Sequence, residues 1–277
     1  MNIHLQGAMR QSLLIVCCAL LASSAFGQTD QAKSGEPLHE TNKDNVADAI
    51  AKVKSGDFAR VHVDLIGRAG AVEAIPVLEE QFVRVQDPID KAKIAQVLIK
   101  LGDKDNTYWD YMVKLVTPAL ESDAPDFMSY DSQGKSSPGP SPAFIAWAKA
   151  HNVPPNGPDG TAAEDSIYTF PGTVGLLAYT GDPRAIPLLR RALLSPNHMI
   201  ETMAALGLAE VQDKDSIPLI IEACKRAPAE AAAGMAQSLV YFDDARAQSA
   251  VDTYVPKDAA KIFRDAKAQG KKTPWSN

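Results

Sequence analysis

The sequence contains few cysteines. There are three in all, and Cys17 and Cys18 lie in an apolar stretch near the N terminus. If that stretch is removed, as proposed below, Cys224 has no partner for an intramolecular disulfide, which excludes a disulfide-stapled secreted fold. Cys224 falls in the helical segment IIEACKRA, where we expect a buried, unreactive thiol rather than a nucleophile.

Common catalytic motifs are also missing. The sequence has no G-x-S-x-G, H-E-x-x-H, P-loop or G-x-G-x-x-G string. Beyond the N-terminal region the histidines are His39, His62, His151 and His198, and no two have the spacing of a helical metal pair. We therefore predict no catalytic residues, no metal site and no cofactor, and we favour a protein that is not an enzyme.

Basic residues are outnumbered by acidic ones. The chain has 28 Lys and Arg against 34 Asp and Glu, a formal net charge of −6. Nucleic-acid binding needs a clustered basic face. The composition therefore argues against a nucleic-acid partner.

The first 27 residues resemble a secretory signal peptide. Arg10 is the only charged residue before Asp30 and precedes an apolar run from Leu13 to Leu21. Small residues follow this run and lead to an A-x-G end at Ala25-Phe26-Gly27. This run is shorter than the roughly 20 residues that span a bilayer. We expect cleavage after Gly27, a secreted or periplasmic protein of bacterial origin, and no transmembrane span in the mature chain.

The cysteines of this segment suggest an alternative. Cys17 or Cys18 could belong to a lipoprotein signal, in which the cysteine becomes the anchored residue. That processing favours a small residue before the modified cysteine, and Val16 fits poorly. Lipid anchoring is therefore disfavoured.

A repeat dominates the rest of the chain. TGDPRAIPLL begins at residue 180 and VQDKDSIPLI begins 31 residues later, at 211. The preceding Leu177 and Leu208 continue in the same step to Leu239, and earlier copies occur at 74–78 and 98–105. A fixed period of this length predicts a helical solenoid.

Each unit of the repeat is predicted to form two helices. In the best-preserved unit, Asp182 caps a helix that opens with Pro183, and Pro187 should bend that helix by removing one hydrogen bond. A second helix follows from His198 to Val211. One such pair cannot bury its apolar face alone, so neighbouring pairs must stack on both sides.

The strings D-P-R-A-I-P-L-L and L-G-L-A-E resemble HEAT repeats, especially the short form of phycobilisome-lyase-like proteins. The resemblance covers most of 44–255 and is strongest over 174–243. It implies an all-α, right-handed α-α superhelix of about five to six helix pairs, with a concave surface that binds proteins. A few relatives of this kind are chromophore lyases, but the repeats alone do not carry that activity.

These patterns together predict the organisation of the chain. A signal peptide (1–27) and a flexible leader (28–43) precede the solenoid. The solenoid covers 44–268 and is interrupted by an irregular insert at 121–166. A loose tail (269–277) ends the chain.

The insert is the main candidate for a binding element. It is rich in Gly, Ser and Pro over Ser132–Pro142 and Val153–Gly160, which predicts loops, with a short helix at Ala143–Ala150 between them. Long interruptions of a repeat often lie on the binding face. Its candidate binding residues are the aromatic residues and one histidine: Phe127, Tyr130, Phe144, Trp147 and His151. A structural alternative is that Phe144, Ile145 and Trp147 dock the insert onto neighbouring helices.

Two functions follow. The first is an exported, non-enzymatic protein that binds a protein or peptide along its concave helices, as a scaffold in the bacterial envelope. The alternative is a lyase-like auxiliary or small-ligand-binding protein with a site between the insert and repeats three and four, which are predicted at 105–120 with 168–180 and at 183–211. That alternative requires polar groups such as His151, Asp159 and Glu164 to converge on a pocket.

Overall fold

A computed structural model describes residues 43–56, 59–152 and 171–274. The predicted signal peptide, nearly all of the leader and the last part of the insert, including Asp159 and Glu164, lie outside these ranges. The chain divides into two compact units with a boundary between residues 115 and 116.

The first unit consists of paired helices. They are α1 (Lys43–Ser55), α2 (Arg60–Ala69), α3 (Ile75–Arg84), α4 (Pro88–Lys100) and the first part of α5 (Asn106–Glu121). Helix α1 packs on α2 and α3 on α4, and the second helices of the two pairs pack on each other. The fully buried core includes Ile66, Leu78, Ile94 and Leu98.

In its described residues, the second unit contains the rest of α5, a hairpin and eight further helices. The hairpin strands are β1 (Met128–Tyr130) and β2 (Ser136–Pro140), which pair antiparallel. The helices are α6 (Pro142–Ala150), α7 (Pro171–Tyr179), α8 (Ile186–Ala192), α9 (His198–Glu210), α10 (Ile217–Arg226), α11 (Ala229–Gln237), α12 (Ala245–Tyr254) and α13 (Lys257–Ala268).

Helices of this unit stack in successive pairs. Helix α8 packs on α9 and α10 on α11, while α9 lies between α7 and α11. The largest fully buried side chains of these repeats include Leu177, Leu189, Leu193, Ile200 and Leu208. The predicted all-α fold of stacked helix pairs is confirmed.

An Ile-Pro pair marks the start of three repeats. At Ile75, Ile186 and Ile217 an α-helix begins directly after a single 3-10 turn, and a proline is its second residue. The prediction that Pro187 bends a helix is wrong, because the first amides of an α-helix have no intrahelical acceptor and the proline removes no bond. Asp182 caps the 3-10 turn as predicted, accepting from the Arg184 amide at 2.8 Å.

Among the described residues, no helix is both long enough and apolar enough to cross a bilayer.

Candidate functional site

The described part of the insert begins with a β-hairpin that the sequence did not predict. The carboxylate of Asp131 accepts from the amides of Gln133 at 2.8 Å and Lys135 at 3.0 Å, which closes the turn. Gly134 supplies the positive φ of 72° that the turn needs. Among the described residues this sheet has two strands, and Pro140 ends the second one, SSPGP, at a sheet edge, where proline is tolerated.

The tip of this hairpin docks on the start of α11. The Glu230 amide donates to the Gly134 carbonyl at 3.0 Å, and the Glu230 carboxylate accepts from the Ser136 amide at 2.5 Å. A Cβ on Gly134 would lie 2.4 Å from the Ala229 nitrogen. Only glycine allows the hairpin to approach the repeats this closely.

Three of the predicted aromatic residues form a small core inside the insert. Phe144 is fully buried on α6 with Ala148, and Phe127 and Trp147 pack against it. The ring of Phe127 meets Phe144 edge-on at 5.1 Å, and Trp147 stacks at 6.0 Å. Phe144 is therefore inaccessible to a partner in this conformation, while Trp147 is half-buried.

Trp147 and His151 form the border of this core. The Trp147 indole donates to the Asp123 carboxylate at 2.8 Å, and the His151 ring stacks on the indole at 4.4 Å. His151 is exposed, and its Nδ1 lies 2.9 Å from the Trp147 carbonyl of its own helix. Its nearest contacts are thus within α6 rather than in a pocket.

Tyr130, the fifth predicted residue, belongs to the contacts of Asp126 and Tyr130 with His198, which anchor the insert to α9. Its hydroxyl donates to Asp126 at 3.3 Å, and its ring meets the ring of His198 at 6.0 Å. The same Asp126 oxygen accepts from the His198 amide at the start of α9, also at 3.3 Å. Burial raises the pKa of Asp126 above its ordinary value, and the hydrogen bonds from Met128 and His198 oppose that shift.

A cluster of charged and polar groups around the buried Glu201 continues from this contact. His198 Nδ1 lies 2.7 Å from Glu201, and the other Glu201 oxygen accepts from Arg226 at 3.0 Å. Arg226 also donates to the Leu193 carbonyl at 3.0 Å. Sequence reasoning missed Glu201, because an acidic residue in the first turn of a helix usually indicates favourable interaction with the helix dipole rather than burial.

The cluster is built to hold elements together rather than to react. Its hydrogen bonds join the insert, α9 and α10. The nearby Cys224 thiol is not a nucleophile, because burial, followed by the charge of Glu201, raises its pKa to about 12. Within the described ranges, no group of three or more His, Cys, Asp and Glu residues has a metal-binding arrangement.

Comparison with known proteins identifies the repeats. Residues 172–261, from α7 into α13, match the family of HEAT repeats. This part of the chain is a HEAT-repeat segment. The resemblance to HEAT repeats is therefore confirmed over these residues, and HEAT repeats generally mediate protein–protein interactions. No curated protein and no solved structure matches the chain.

Proposed function

We propose that this HEAT-repeat protein is exported and acts without catalysis, binding a protein partner as a scaffold in the bacterial envelope. The observation that carries the proposal is a folded insert fixed to the HEAT repeats. Asp126 and Glu230 attach it to α9 and α11 through three hydrogen bonds donated by backbone amides, two of them to the carboxylates of these residues. A surface fixed in this way can bind a partner without first paying the entropy of ordering a loop.

The outer face of α6 is the contact surface that this arrangement favours. It is defined here as five exposed residues: Ala143, Ile145, Ala146, Lys149 and Ala150. Four of the five are apolar, and Ile145 is 43% exposed. Apolar surface concentrated on one exposed helix face is typical of an interaction site. Trp147 and His151 border this face and would extend the contact.

Export is the second part of the proposal. It is supported by the sequence of residues 1–27, with its single positive charge, short apolar run and small residues before Gln28. Mass spectrometry of the protein isolated from an envelope fraction should give a mature N terminus at Gln28. A chain that retains Met1, or a lipid on Cys17 or Cys18, contradicts this part.

The binding proposal is tested by crosslinking in cells, with recovery of partners from the native envelope. Ile145→Asp puts a charge on the outer face of α6 without touching the Phe144 core, and should reduce the recovered partner. The matched control is Val83→Asp on α3, also an exposed β-branched residue, at 73% exposure, and it should leave recovery unchanged. Equal recovery with both variants removes α6 from the interface, and recovery of no partner by the wild type contradicts the proposed function.

A further inference from the structure

A groove between α8 and α10 exposes two large apolar side chains. Leu194, just after the end of α8, is 72% exposed, and Leu219 on α10 is 43% exposed. Both line one groove with a volume of about 330 Å³. This is room for the side chains of a short peptide, and exposed leucines grouped in a groove suggest an interaction site.

The rim of the groove carries an excess of cations. Its charged residues are Arg190, Arg191, Arg226 and one acid, Glu222, which accepts from Lys225 at 2.6 Å. Since the one carboxylate of the rim is itself paired with Lys225, the rim favours an acidic ligand wherever a guanidinium is not firmly held by an acid of the chain.

The three arginines differ in how firmly they are held. Arg190 reaches across to the turn before α10, where it binds Asp213 at 2.8 Å and Ser216 at 2.8 Å, and so joins consecutive repeats. Arg226 holds the buried Glu201. These two guanidinium groups are therefore engaged in contacts that hold the repeats together.

Arg191 is held much more loosely. The only ion pair it makes within the described ranges is to Glu121 at 3.6 Å, and both side chains are more than half exposed. An exposed pair of this length contributes little. Arg191 is therefore the cation of the rim that can leave Glu121 and bind a carboxylate of a ligand with little loss of free energy.

We propose that this groove binds a peptide segment of another protein in which a large apolar side chain lies next to a carboxylate. The apolar side chain enters between Leu194 and Leu219, and the carboxylate binds Arg191, whose planar guanidinium can make two parallel hydrogen bonds to it. The inference rests on the proposed protein-binding function but uses a different surface from the outer face of α6.

The test is selection of a random-peptide phage library on the mature protein, after depletion on the Leu219→Asp variant. Enriched peptides should combine a large apolar residue with Asp or Glu. Fluorescence anisotropy of a labelled enriched peptide should then show at least about tenfold weaker binding to Arg191→Glu. The matched control is Arg84→Glu on α3, an equally exposed arginine that pairs with Glu80 within its own helix, and it should bind like the wild type.

Three outcomes overturn the inference: no enrichment, enriched peptides without an acidic residue, or equal binding to Leu219→Asp and the wild type. Circular dichroism checks that both groove variants fold, which is expected because the two substituted side chains are largely exposed. The experiments distinguish a failure of this inference from a failure of the proposed function. A partner recovered from the envelope by both the wild type and Leu219→Asp leaves the function intact and removes only the groove.

Discussion

The guanidinium of Arg226 donates at 3.0 Å to the carboxylate of Glu201, a side chain that is only 2% exposed. The other oxygen of this carboxylate lies 2.7 Å from His198, next to the anchor of the insert. One buried charge thus connects α10, α9 and the hairpin. A buried carboxylate is stable only while its partners remain in place.

Removing the cation should therefore destabilise the fold. In Arg226→Ala, Glu201 stays buried with His198 as its remaining side-chain partner, and the free energy of unfolding should fall by about 2 kcal/mol, as for the loss of a charged hydrogen bond. Urea denaturation followed by circular dichroism measures the change.

The neighbouring Lys225→Ala is the control for this prediction. Lys225 pairs with Glu222 on the surface, with both side chains more than half exposed, and its loss should cost less than about 1 kcal/mol. A second variant, Arg226→Ala with Glu201→Gln, should recover part of the loss because no charge remains buried. Equal effects of Arg226→Ala and Lys225→Ala would show that the ion pair with the buried Glu201 contributes no more to stability than a surface ion pair does.

Two glycines of the repeats should respond in opposite ways to alanine. At Gly207 on α9 an added Cβ would lie 2.6 Å from the Cβ of Ala178 on α7, so the helices must move apart. Gly207→Ala should cost about 1–3 kcal/mol, as overpacking does. At Gly234 on α11 the nearest neighbour would be Thr202 at 3.6 Å, an ordinary contact. Gly234→Ala should therefore gain up to about 1 kcal/mol of helix stability.

Thermal unfolding of the two glycine variants measures this difference. The melting temperature should fall for Gly207→Ala and rise slightly for Gly234→Ala. If both variants melt at the same temperature, α7 and α9 do not approach as closely as described here.

The repeats were predictable because their signals are local. The aspartate of the turn recurs in steps of 31 residues at 182, 213 and 244, and the Ile-Pro pair recurs once at this step, at 186 and 217. Each of these signals acts within one or two turns of helix. Asp182 caps its turn through the amide two residues on. Among these local signals the effect of Pro187 was misjudged, because the 3-10 turn that moves it to the second helical position has no signal in the residue pattern.

The insert was harder to predict because long-range contacts hold it. The strand SSPGP has low β-propensity, and its Ser136 amide is bound by Glu230, 94 residues later in the chain. The burial of Glu201 likewise depends on Arg226, on another helix. Composition indicated that the insert is unusual, but no local pattern could pair these residues.

The docking of the hairpin gives a further prediction. Gly134→Ala should release the tip from α11, because the new Cβ would lie 2.4 Å from the Ala229 nitrogen. Hydrogen exchange of the Ser136 amide should then become at least about tenfold faster, as expected when a local structure opens more often. Gly102→Ala is the control, since Gly102 also has a positive φ, 90°, but nothing lies within 4 Å of its Cβ position. Faster exchange at Ser136 in both variants would mean that backbone strain, and not the contact with α11, decides the effect.

For Asp126 we expect the hydrogen-bond acceptor to contribute more to the stability of the fold than the negative charge does. Because burial raises the pKa of Asp126 above the ordinary 3.8, the folded state prefers the protonated acid. Its contribution to stability is therefore full below that value and is lost as the pH rises through the folded-state pKa. Asp126→Asn, which keeps an acceptor, should be at least as stable as the wild type near pH 7, and this advantage should vanish near pH 4.

Asp126→Ala is the companion variant. It removes the acceptor of the Met128 and His198 amides and should cost about 1–2 kcal/mol. Urea denaturation at both pH values separates the three proteins. If the Asn and Ala variants lose the same stability at pH 7, the carboxylate charge itself holds the insert.

The thiol of Cys224 should be unreactive as long as the protein is folded. It is buried, donates to the Ala232 carbonyl at 3.5 Å, and has a pKa raised from 9.0 to about 12. The folded mature chain should therefore not react with a disulfide reagent at pH 8, and labelling should require unfolding by urea. An exposed cysteine, Leu194→Cys in a Cys224→Ala background, is the control and should react at once.

Since the pKa of Cys224 is higher in the folded state, the contribution of this thiol to stability is complete below pH 9 and is lost as the pH rises toward 12. Rapid labelling of native Cys224 at pH 8 would contradict both the burial and the shift.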